Sequence, residues 1–153
     1  MNTCCKPLLA FIISVLAAAP GCASPGAASH EREKLQRVNE LYMAGKFDDA
    51  IRVAEPLKQS STPEIVFSVG HLYLARAQAE ARSNGERASD SERFVRYVER
   101  AALLGLDDAS RLLEAVFRYG SYGAVPVDLA RANCWQQVAN KQASARECAR
   151  EEK

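Results

Sequence analysis

Apolar residues recur at helical spacing along almost the whole chain. Leu35, Val38, Leu41 and Tyr42 fall on one face, and Gly45-Lys46-Phe47-Asp48 breaks the run. Ala50, Val53, Ala54 and Leu57 make a second face, so the pattern predicts a helix pair. "SSTPE" supplies the next helix start. Ser61 or Thr62 can cap, Pro63 suits the first helical position, and Glu64 suits the positive helix end. The third helix carries Ile65, Val66, Val69, Leu72, Tyr73 and Ala77. "SNGERASD" reads as a loop, with a helix starting at Ser89, Asp90 or Ser91, carrying Phe94, Val98, Ala101 and Leu104, and ending at Gly105. Asp107 or Asp108 caps the next, which holds Leu112, Leu113, Val116 and Phe117. After the glycine-rich "YGSYGAVP", helices are expected near 127–140 and 143–152. No stretch alternates with period two, so no strand is needed and the expected fold class is all-α.

The chain also repeats itself. Asp90, Arg93, Tyr97, Ala101 and Gly105 recur 38 residues on as Asp128, Arg131, Trp135, Ala139 and Ala143. Before each aspartate comes an apolar helix with an aromatic near its end, Tyr73 in one copy and Phe117 in the other. Matches at one offset, each at a helix-packing position, indicate a repeated helix pair. A helix pair cannot bury its apolar face alone; about three stacked pairs can.

The register resembles the Sel-one-like repeat, a relative of the tetratricopeptide repeat. Ala109, Leu113, Phe117, Gly120, Gly123, Val125, Asp128, Arg131, Ala132, Trp135 and Ala139 follow its pattern in order. The earlier copy supplies Val69, Gly70, Tyr73, Asp90, Arg93, Tyr97, Ala101, Ala102, Gly105 and Ala109. Its loop is longer, and Glu114 stands where the family has glycine in the later copy. "LYMAGKFDDAIRVAEPL" resembles a tetratricopeptide unit, with Gly45 and Ala50 in place. The resemblance spans about residues 35–146. It implies a short α-solenoid of about three antiparallel helix pairs, whose concave face binds protein segments, and it names no particular partner.

The N-terminus has another logic. "MNTCCKPLLAFIISVLAAAPGCA" places Lys6 ahead of an apolar run from Leu8 to Ala19 that ends in small residues, the layout of a secretory signal peptide. A bilayer span needs about 20 apolar residues, more than this run has. "AAAPGCAS" resembles the lipobox of bacterial lipoproteins, although Ala19 stands where Leu is usual and Pro20 where Ala or Ser is usual. That resemblance implies that Cys22 becomes the acylated N-terminus and that Ala23, not being Asp, directs sorting to the outer membrane. Two or more acyl chains make a stable anchor where one is marginal. The alternative is ordinary cleavage, giving a soluble periplasmic protein. The expected organisation is a signal peptide over 1–21, a flexible tether over 22–33 and a helical-repeat domain over 34–153.

Charge and chemistry narrow the function. The whole chain carries +1, and residues 1–21 contain Lys6 and no acid, so the mature chain is neutral. Nothing basic is left over for nucleic acid. His30 lies in the tether and His71 on the third helix; with no third ligand beside them a zinc site is unsupported, and no cofactor is expected. Nothing brings Cys134 or Cys148 to His71 as a nucleophile pair. Asp107-Asp108 reads as a cap rather than a catalytic pair. A cell-wall hydrolase would need a nucleophile, base and orienting group that the sequence does not bring together. The expectation is a non-enzymatic adaptor for another envelope protein, held to the membrane by its lipid. Tyr119 and Tyr122 are candidates for the partner contact, the alternative being that these rings fold back on the core. Trp135 fits a buried packing position.

Cys134 and Cys148 lie on either side of Lys141, symmetric about "NKQ". If a tight turn joins two helices there, the cysteines face each other, and an oxidising compartment would pair them. If 128–152 is one helix, they stand about 21 Å apart and cannot bond.

Overall fold

The computed structural model describes residues 25–79, 82–120 and 125–149, with side chains from residue 30 onward. The expected signal peptide, Cys22 and Tyr122 lie outside the described residues. The chain is all-helical: α1 (Pro25–Met43), α2 (Phe47–Ala54), a 3₁₀ turn (Glu55–Gln59), α3 (Pro63–Ala77), α4 (Asn84–Leu103), α5 (Asp107–Tyr119), α6 (Leu129–Ala139) and α7 (Ala145–Cys148). No β-strand occurs among the described residues.

Three helices end in one way. After α1, Gly45 takes φ 70° while its N–H bonds Tyr42 C=O and that of Lys46 bonds Leu41 C=O. After α4, Gly105 takes φ 97° with the same pair of bonds to Ala102 and Ala101. After α6, Lys141 takes φ 60°, and the bonds run from Lys141 to Val138 and from Gln142 to Gln137. Each is a Schellman motif, which satisfies carbonyls the helix leaves open and needs a left-handed residue after its last turn. The α6 turn falls at Lys141, two residues before the Ala143 that the sequence offset pairs with Gly105. The single helix over 128–152 therefore does not form.

Four sequence expectations are corrected. The stretch 25–33, expected as flexible tether, is helical and opens α1. "SNGERASD" is not a loop: Ser83 and Glu86 form a reciprocal capping box, so α4 begins at Asn84 and Asp90 sits inside it. Neither Asp107 nor Asp108 caps α5; the cap position is Leu106, without a side-chain bond, and both acids lie in the first turn, where the helix dipole favours them. The last helix is also shorter than expected, Ala145–Cys148, opened by a Ser144–Glu147 capping box.

Packing follows chain order. α1 contacts α2, α3 contacts α4 and α5 contacts α6, while α2–α3 and α4–α5 contacts join these pairs. α7 packs on both α6 and α4. One core runs through all of them, from Val38 and Leu41 through Val66, Phe94, Val98 and Leu113 to Trp135. Gly70 lets α3 approach α4, since a Cβ there would meet Tyr97 Cβ at 3.1 Å. Among the described residues no helix is long and apolar enough to cross a membrane.

Candidate functional site

The described surface holds an open groove of about 420 Å³, lined by Ile51, Glu55, Lys58, Tyr73, Arg93, Arg96 and Tyr97. α2 and the 3₁₀ turn form one wall and α4 the other, with Tyr73 of α3 at the base. Helical spacing puts Arg93, Arg96 and Tyr97 on one face of α4. Pro56 tightens the end of α2 into the 3₁₀ turn that carries Lys58. Arg100 fixes that turn to α4 by donating to the carbonyls of Lys58 and Ser60.

Tyr73 and Tyr97 stack with ring centroids 5.5 Å apart and planes 8° from parallel. Tyr73 is buried and Tyr97 half-buried, so the pair offers one ring to the groove. The guanidinium of Arg93 lies 5.5 Å from the Tyr73 centroid and that of Arg76 lies 5.3 Å from it. Burial, with Tyr73 and Glu55 nearby, pushes the Tyr97 hydroxyl up to about 12, so it stays neutral and able to donate at pH 7. Lys58 is paired with Glu55. Arg93 and Arg96 are exposed, and neither has a carboxylate partner among the described residues. The groove thus combines a neutral aromatic floor with two unneutralised cations.

A network behind the groove holds α3 and α4 together. Arg76 grips Asp90 in a two-pronged pair, Nε to Oδ2 at 2.8 Å and Nη2 to Oδ1 at 2.5 Å. Asp90 is 3% exposed. Arg76 also donates to Asp48 of α2, which accepts from Arg82 in turn. The hydrogen bond to Asp90 raises the Arg76 pKa, and the bond from Arg76 lowers that of Asp48. Asp90, expected to cap a helix, ties two helices together instead.

The other candidates separate cleanly. Tyr119 is 78% exposed and does not fold back on the core, nor does it line the groove. Cys134 and Cys148 form a disulfide with Cα atoms 5.7 Å apart. Trp135 is fully buried. His71 is wedged between Phe67 and Phe94 and donates from Nδ1 to the Phe67 carbonyl, and burial lowers its pKa. The two described cysteines are bonded to each other.

The sequence pattern includes Tyr73, Arg93 and Tyr97 but does not mark them as one surface, and it does not include Arg96 or Lys58. The signal in the sequence is partial: Arg93, Arg96 and Tyr97 fall on one helical face, but Asp90, Glu92 and Glu99 stand three or four residues from the arginines, so spacing alone does not show which charges stay unpaired. Comparison of the chain with protein-family models, with curated proteins and with solved structures gives no match.

Proposed function

We propose that this protein is a non-enzymatic adaptor of the bacterial cell envelope. Its helices would form a short α-solenoid of about three antiparallel pairs, Sel-one-like and tetratricopeptide-like, and its groove would dock another envelope protein. The observation that carries the reading is the groove itself: stacked tyrosines and unneutralised arginines on a rigid frame of helices packed in chain order. Tyrosine and arginine concentrate binding energy at protein interfaces. Acylation at Cys22 would hold the domain at the membrane, most simply the outer one, and the Cys134–Cys148 bond suits an exported, oxidising compartment. His71, packed between aromatic rings, and two bonded cysteines argue for binding rather than catalysis.

Two experiments test the reading. Palmitate labelling should tag the wild type and not Cys22→Ala; unlabelled wild type would leave the soluble periplasmic form. A photo-crosslinking residue at position 97 should capture a discrete envelope protein, while the same residue at exposed position 111 should not. No adduct at position 97 would overturn the adaptor role of the groove.

A further inference from the structure

The third helix pair shows what fills a groove of this kind. Counting 38 residues on from Arg93, Arg96 and Tyr97 leads to Arg131, Cys134 and Trp135 on the matching face of α6. That face is covered. α7 packs against α6 and α4 together and is bonded to Cys134 through Cys148. Its Ala145, Cys148 and Ala149 turn inward onto the core. The space between α4 and α6 is therefore filled by a single short turn from this chain, while the space between α2 and α4 is open.

The open groove differs in chemistry at the same positions. Where Cys134 holds α7 covalently, Arg96 presents a cation. Where Arg131 is paired with Glu99, Arg93 has no carboxylate partner among the described residues. Fixed charge on α4 thus replaces the bond on α6, and its sign is positive. With Lys58 and Glu55 neutralising each other, the lining leaves an excess of two positive charges.

We propose that the groove between α2 and α4 takes a short acidic segment of another protein, seated as α7 is seated between α4 and α6. Its small side chains pack on Tyr97 and its carboxylates pair with Arg93 and Arg96. A planar guanidinium matches a carboxylate with two parallel hydrogen bonds, and because both arginines are exposed the pairing weakens as salt rises. The inference rests on reading the groove as a partner site and adds the chemistry of the partner.

The test uses the purified full chain and fluorescein-labelled peptides, one of alternating Ala and Glu and one of alternating Ala and Lys, read by anisotropy. The Glu peptide should bind saturably, less tightly as salt rises, and the Lys peptide should not. Arg93→Glu with Arg96→Glu should weaken the Glu peptide at least about tenfold, as removal of a paired interfacial charge does. Arg93→Gln with Arg96→Gln should weaken it in the same direction with less change to the surface. Arg111→Glu, an exposed charge elsewhere, should leave it unchanged. Equal binding of both peptides, or wild-type affinity in both double variants, overturns the proposal. So does recruitment to phosphatidylglycerol vesicles that depends on Arg93 and Arg96 while the Glu peptide fails to compete. A position-97 crosslink that survives alongside failed peptide binding would mean a groove partner of other chemistry. Loss of the crosslink would remove the partner site altogether.

Discussion

α3–α4 and α5–α6 use matched residues for different ends. Asp90 and Asp128 lie 38 residues apart in sequence, yet Asp128 caps α6 by accepting from the Arg131 N–H, while Asp90 lies inside α4 and pairs with Arg76. The cause is local. Ser83 and Glu86 start α4 about two turns upstream of the corresponding start of α6. Asp90 then faces a neighbouring helix and not a row of open N–H groups. Tyr97 and Trp135 are matched by the same offset, and one lines an open groove while the other is fully buried on the helix that α7 packs against. Arg93 and Arg131 each lie by the aromatic of the preceding helix, at 5.5 and 3.8 Å, but only Arg131 is also closed in by an acid, Glu99. Helical spacing fixes where side chains sit; what covers them decides whether they act as core or as surface.

The largest test of this contrast is truncation at the two aromatic positions. Trp135→Ala removes a fully buried side chain and should cost about 3–5 kcal/mol. Tyr97→Ala removes a half-buried ring and its stacking, and should cost about 1 kcal/mol. Urea unfolding followed by circular dichroism measures both. Equal costs would mean that the groove is core and not surface.

Next is the staple. Replacing Cys134 and Cys148 by Ser should destabilise the domain by roughly 3 kcal/mol on a chain-entropy account of a loop this size. Trp135 is the only tryptophan, so its fluorescence reports the cover directly. Reduction should shift its emission to the red as α7 lifts. An unchanged spectrum and unchanged melting on reduction would show that α7 stays seated without the bond.

The aspartates come third. Asp90→Ala removes a buried carboxylate and leaves part-buried Arg76 without its two-pronged partner, and should cost about 3 kcal/mol, whereas Asp128→Ala removes one cap and should cost about 1 kcal/mol. Thermal melts of the two variants decide it. A reversed order would put the ion pair at the surface in solution and make the cap the stronger element.

Much of this was legible beforehand, and the misses share a cause. The apolar period marked α3, α5 and the heart of α4, because Val66, Val69, Val98, Ala101 and Leu113 stay buried whatever surrounds them. The facing cysteines were legible from their symmetry about a turn. Helix starts were not. Asp90 resembles a cap, and only the competing Ser83–Glu86 box, itself an S-x-x-E pattern on the page, shows that the start lies upstream. The helical start at Pro25 was hidden by "SPGAAS", whose composition suits a linker. The groove was the least legible, because it depends on which face of α4 another helix leaves bare, and no single segment encodes that.

The smallest effect concerns how the two pairs end. α4 closes on Gly105 at φ 97°, and α6 closes on Lys141 at φ 60° with the same two hydrogen bonds. Only the second asks an L side chain to sit in the left-handed region, at a cost of roughly 1–2 kcal/mol. Lys141→Gly removes that strain but adds freedom to the unfolded chain, which offsets about 0.4–1 kcal/mol of the gain. The surface ion pair from Lys141 to Asp107, at 3.9 Å and well exposed, adds little to the balance. The net expectation is a gain of about 0.5 kcal/mol, read as a small rise in melting temperature. Gly105→Lys should shift stability the other way, by more, because it introduces the strain at a wider φ. A loss of stability in Lys141→Gly would mean that the turn between the cysteines is held by the disulfide and not by its own backbone, so that α6 ends where the staple requires and α4 where its glycine allows.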